Sequence, residues 1–224
     1  SDNLPLYIAN LKYKPNGKDT YLKPLNERDK LIRNGGITVN NALVPENGSK
    51  QYSLNIDSNG NYFGTYSYSL SNIFQLELIN IGSFKNINQN NYLSKNLKNT
   101  YFGNNNFHIR LGGKFLLFSP QKNDSIWTAF RTSVGRNEDT NQGYIFSELI
   151  NTYRINNWIA ANLSSKFFFS GLENFSGIGS SLYLNLSNKL QIIPEMNIAL
   201  NNNSKINNTL SIRYKLSQYK SADL

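Results

Sequence analysis

The feature that most constrains this chain is alternation. From about Gly36 to Ser217 the sequence divides into strand-length segments in which apolar and polar side chains take turns. A period of two is the period of a β-strand, whose successive side chains point to opposite faces. Such segments run over 36–44, 49–57, 61–70, 73–82, 106–118, 126–135, 143–154, 158–169, 177–187, 190–200 and 208–217. Turn dipeptides separate several of them: Asn59-Gly60, Ser71-Asn72, Asn156-Asn157 and Asn188-Lys189. Short connections follow 61–70, 143–154 and 177–187. Longer ones follow 73–82, where Ser83–Asn106 is rich in Asn, and also 126–135, 158–169 and 190–200. Strands of roughly 9–11 residues, with short turns on one rim and long loops on the other, are the pattern of a transmembrane β-barrel. With Leu4–Tyr13 as a further strand, both ends of the sheet reach one rim. The expectation is an all-β, antiparallel barrel of about twelve strands, or of eight or ten if the early segments pair elsewhere.

Charge supplies a second test. A lysine or arginine facing lipid at mid-bilayer costs about 2–4 kcal/mol, so charges within spanning strands should share the lumen face. In 106–118, His108, Arg110 and Lys114 oppose Phe107, Ile109, Leu111, Phe115 and Leu117. In 158–169, Lys166 opposes Ile159, Ala161, Leu163, Phe167 and Phe169; in 208–217, Arg213 and Lys215 oppose Leu210, Ile212, Tyr214 and Leu216. Glu148 and Arg154 share a face, and Arg131 and Glu195 complete the expected lumen set. Two segments resist. Both faces of 143–154 mix apolar and polar residues, and Pro194 in 190–200 cannot donate to a ladder, so it calls for a local distortion. The alternative fold is a soluble or surface-attached β-sandwich, which alternates in the same way with its charges in water. It would bind carbohydrate, lipid or a protein partner through the loop 83–106.

Composition narrows the chemistry. The net charge is +9, but the cationic residues are scattered singly, so no nucleic-acid partner is expected. There is no cysteine, which excludes disulfides, thiolate metal sites and a cysteine nucleophile. His108 is the only histidine. It sits in no ligand cluster, so no metal, cofactor or catalytic residue is assigned; a lipid-modifying barrel using His108 beside a serine is the remote enzymatic alternative. No apolar run is long enough for a transmembrane helix. The mean hydropathy of −0.48 does not argue against a barrel, because only every second side chain would meet lipid. Tyr62, Tyr66, Tyr68, Trp127, Trp158, Phe167 and Phe169 are expected in aromatic girdles at the bilayer interfaces. Residues 1–35, interrupted by Pro5, Pro15 and Pro24, are an irregular segment that is either a first strand or a plug; 36–217 form the barrel and 218–224 a tail. Within the first of these, Asn26–Arg33 is the place for a short helix or charged loop.

The terminal strand TLSIRYKL, with GYIFSELINTYRINNWIAANLSSKFFFSG and LQIIPEMNIAL, resembles the β-barrel proteins of Gram-negative outer membranes, of cyanobacterial type. That family's assembly signal usually closes on an aromatic residue, whereas Ser217–Leu224 follows the last strand here. The resemblance implies an outer-membrane address after removal of a signal peptide, a lipid bilayer as surroundings and insertion by the barrel assembly machinery. It implies no substrate. The basic excess among the lumen residues points instead to a small channel or binding barrel for small anionic solutes, since Arg and Lys rings favour anions. The competing reading is internal ion pairing that fills a narrow barrel.

Overall fold

In the computed structural model the described residues are 35–36, 38–56, 61–83, 108–119, 125–137, 142–171, 174–200, 206–217 and 220–223. They form one sheet of eleven strands: β1 (Lys50–Ile56), β2 (Asn61–Ser71), β3 (Phe74–Ser83), β4 (His108–Phe118), β5 (Ile126–Asn137), β6 (Gln142–Arg154), β7 (Ile159–Ser170), β8 (Asn174–Asn185), β9 (Leu190–Ala199), β10 (Ile206–Ser217) and β11 (Lys220–Asp223). Every strand pairs antiparallel with its neighbour in sequence, so the sheet is an uncrossed meander. The alternative of two packed sheets is corrected by this single sheet. Among the described residues no pairing joins β1 to β10 or β11, and no helix is long and apolar enough to cross a membrane. Leu4–Tyr13, Asn26–Arg33 and most of the loop 83–106 lie outside the described residues.

Three expectations change. The segment 36–44 is not a strand: residues 38–45 run irregularly and buried along the concave side of the sheet. Its amides bond to side chains of the wall instead of to a neighbouring strand, which removes it from the ladder. Part of the 218–224 tail becomes β11, pairing with β10 on both sides of an irregularity between Lys215 and Ser217. The loop rhythm also weakens. Longer strands shrink two of the long loops to 138–141 and 171–173, which leaves 84–107 as the long connection. Pro194 produces the expected distortion. The β8–β9 register is the same on both sides of it, but the rungs at Leu182 and Tyr183 drop out. A groove of about 590 Å³ opens there, lined among others by Leu182, Pro194, Met196 and Leu210.

The two faces have opposite polarity, inverted relative to a water-soluble protein. On β6 burial alternates without a break. Tyr144, Phe146, Glu148, Ile150 and Thr152 point inward, while Ile145, Leu149 and Tyr153 are exposed. The same order holds on β4, with Arg110 and Lys114 buried and Ile109, Leu111, Phe115 and Leu117 exposed, and on β7 to β10. Buried polar and charged residues outnumber buried apolar ones among the described residues. The inner face does carry an apolar layer. Ala42, Leu43 and Val44 pack with Leu116, Trp127, Ala129, Ile150, Ala160, Tyr183 and Ile193, toward the rim of the short turns 72–73, 155–158 and 186–189. Ile150 of this layer, with Tyr144 and Phe146 packed on Phe168, puts apolar residues on the inner face of 143–154 beside Glu148 and Thr152.

Candidate functional site

Register brings the interior charges together. Gln75, Lys114, Arg131, Glu148 and Lys166 lie opposite one another across β3 to β7. Two residues further along β3 stands Glu77. Arg131 Nε donates to Glu77 Oε2 and Arg131 Nη1 to Glu148 Oε2, at 2.5 and 2.8 Å. Lys166 Nζ lies 3.8 Å from Glu148 Oε1. All four side chains are buried. The guanidinium thus sits between two carboxylates, and these offset the repulsion between Arg131 and its register partner Lys114. Such a network holds only when each charge is met, because a buried ion left unpaired is costly.

The irregular segment is tied into this network. The Glu195 carboxylate accepts from two consecutive backbone amides, Thr38 N at 3.0 Å and Val39 N at 3.0 Å. Successive amides cradling an oxyanion form a nest of the kind that binds anions elsewhere. Gly36 makes the approach possible: a Cβ there would stand 1.8 Å from Glu195 Oε1. Lys166 Nζ donates to Thr38 O and to Asn197 Oδ1, both at 2.7 Å, and Asn197 Nδ2 donates to Thr38 Oγ1 at 2.8 Å. Asn40 Nδ2 donates to Glu148 Oε2 at 2.8 Å. Ala42 N donates to Thr152 Oγ1, which donates to Asn162 Oδ1, whose amide donates to Ser181 Oγ. Residues 38–42 are therefore anchored to β6, β7 and β9 at once. Room for Lys166 comes from Gly179, where a Cβ would meet Lys166 Cε at 3.0 Å and Asn197 Oδ1 at 2.9 Å.

Arg110 is buried beside the network but makes no ion pair with Glu77 or Glu148. Its guanidinium carbon lies 5.1 Å from the centre of the Phe146 ring, and its Nε and Nη1 have no hydrogen-bond partner. Tyr144 and Phe168 meet beside it with ring centres 5.2 Å apart.

Of the residues expected in the lumen, Arg110, Lys114, Arg131, Glu148, Lys166, Glu195 and Arg213 are buried on the inner face. Arg213 Nη1 donates to Gln191 Oε1 at 3.3 Å. Arg154 is half-buried, 5.8 Å from the Trp127 ring centre. The side chains of His108 and Lys215 lie outside the described residues, although both positions are in strands. Of the girdle set, Trp158, Phe167 and Phe169 are exposed, and Tyr62, Tyr66 and Tyr68 are part-exposed on the outer face of β2. Trp127 is a correction: it faces inward, 7% exposed, in the apolar layer under Leu43 and Val44. Its odd number puts it in phase with Ala129 and Arg131. Glu77 was missed, although Gln75 and Glu77 oppose Phe74, Leu76 and Leu78 and the parity test would have found it.

Among the described residues, no group of three His, Asp or Glu side chains is placed to hold a metal ion. Comparison of the chain with protein-family models, characterised proteins and solved structures gives no match.

Proposed function

We propose that this protein is a membrane β-barrel whose interior is closed across its waist and which binds small anionic solutes. The observation that carries the reading is the inversion of polarity: charged side chains are buried on the concave face while leucine, isoleucine and phenylalanine cover the convex one. A continuous apolar surface of that extent is unfavourable in water and favourable in hydrocarbon. A spanning sheet has to close, because unpaired edge groups are not tolerated in a bilayer. In the membrane-inserted state the β1 and β11 edges are therefore paired. Trp158 at the short-turn rim, and Phe167 and Phe169 toward the opposite rim, stand where interfacial aromatics belong. The address is an outer membrane, reached through the barrel assembly machinery.

The segment 38–45 and the Glu77–Arg131–Glu148–Lys166 network favour a binding barrel over an open channel. Arg131 and Lys166, two of the cations that would give an open pore its anion preference, are bonded to Glu77, Glu148 and the segment. Purified protein in planar bilayers tests this. The unmodified protein should insert without steady open-pore current, and Glu195→Ala, which releases the amides of Thr38 and Val39, should bring a current that favours anions. A steady large conductance from the unmodified protein would overturn the closed interior.

A further inference from the structure

Arg110 has the features of a ligand-binding group that the fold leaves unused. It is 1% exposed, and Nε and Nη1 have no acceptor. The Phe146 ring beneath it offers a face but no hydrogen-bond acceptor. Glu77 Oε2 and Glu148 Oε2 accept from Arg131, and neither carboxylate accepts from Arg110 Nε or Nη1. Ser133 Oγ is buried and also without a hydrogen-bond partner. Ser133 is the register partner of Phe146, and the Arg110 guanidinium lies over the Phe146 ring, so both groups neighbour one aromatic residue of the wall. A glycine lets the Arg110 side chain lie close over the wall. Gly135 lies between Arg110 and Tyr144 in register, and a Cβ there would stand 2.7 Å from both Arg110 Cγ and Tyr144 Oη. Arg110 is two residues from the start of β4, at the rim that carries the 84–107 connection. A buried cation with unmet donors is unfavourable unless an acceptor reaches it, and an oxyanion is the acceptor that meets a guanidinium most strongly.

We propose that Arg110 and Ser133 form a binding site for a small oxyanion, a carboxylate or phosphate group, entering from the 84–107 rim. The site deepens the binding-barrel reading and rests on it for its place in the cell, but its chemistry can be tested independently. Folded protein, in detergent or in plain buffer as its solubility dictates, is titrated with sodium phosphate and with sodium acetate against sodium chloride at matched ionic strength. The midpoint of urea unfolding is read. The unmodified protein should show a saturable rise with at least one oxyanion beyond that with chloride. A response to phosphate alone assigns the site to phosphate groups, and a response to acetate alone to carboxylates.

In Arg110→Gln and Arg110→Met the affinity should fall roughly tenfold to a hundredfold. In chloride alone, Arg110→Met should be at least as stable as the unmodified protein, because it removes a buried cation two of whose donors are unmet. Three results overturn the site: no rise beyond chloride in the unmodified protein, an equal rise in both variants, or marked loss of stability of Arg110→Met in chloride. If the protein behaves as a membrane barrel but does not respond to oxyanions, this site alone fails. If it responds while fully soluble without detergent, the membrane reading fails and the site stands.

Discussion

Glu148 meets three partners: Arg131 on one neighbouring strand, Lys166 on the other, and the side chain of Asn40 from the buried segment. Glu148→Ala leaves two buried cations short of charge and an amide short of an acceptor. The expected cost is about 3–5 kcal/mol. Exposed Glu46 supplies the control, with Glu46→Ala within about 0.5 kcal/mol of the unmodified protein. Urea unfolding of the two variants checks this; equal midpoints would show that the network contributes nothing to stability. At this scale the sequence was legible wherever parity alone decides a side. Arg110, Lys114, Arg131, Glu148, Lys166, Glu195 and Arg213 all follow from even or odd position within a strand. Partners were not legible. Nothing in the spacing of Glu195 and Thr38, 157 residues apart, shows that one carboxylate caps the other's amide.

The strands themselves were legible to within a few residues, because a strand with one apolar face writes its period into the sequence. The segment after Gly35-Gly36 was not. ITVNNALV alternates like a strand, yet its backbone is satisfied by Glu195 and Thr152 rather than by a ladder. Local pattern cannot separate the two, since the difference lies in partners contributed by β6 and β9. Trp127 failed for a related reason: an interior that contains an apolar layer as well as a charged one accepts a tryptophan. Gly36 is where the segment can be tested as an element. Gly36→Ala drives a methyl group into the Glu195 carboxylate. Amide exchange at Thr38 and Val39 should then accelerate by at least tenfold while the β5–β6 and β6–β7 ladders keep their protection. Loss of protection throughout the sheet would mean that the segment is a folding core rather than an insert.

At the scale of the molecule, one sheet buries its charges and exposes its apolar side chains, and the proposed membrane setting rests on that arrangement. A sandwich would match the same alternation with the faces exchanged; the burial of Glu148, Lys166 and Arg110 is what supports the proposed barrel. Closure of the sheet and its surroundings remain properties of the membrane reading, and one measurement reaches both. Protein extracted from a membrane fraction with detergent is run on a gel with and without boiling. The account predicts a compact, faster-running band before boiling that shifts to the full-length position afterwards, and extraction only when detergent is present. Recovery in buffer alone, with the same mobility before and after boiling, would contradict it.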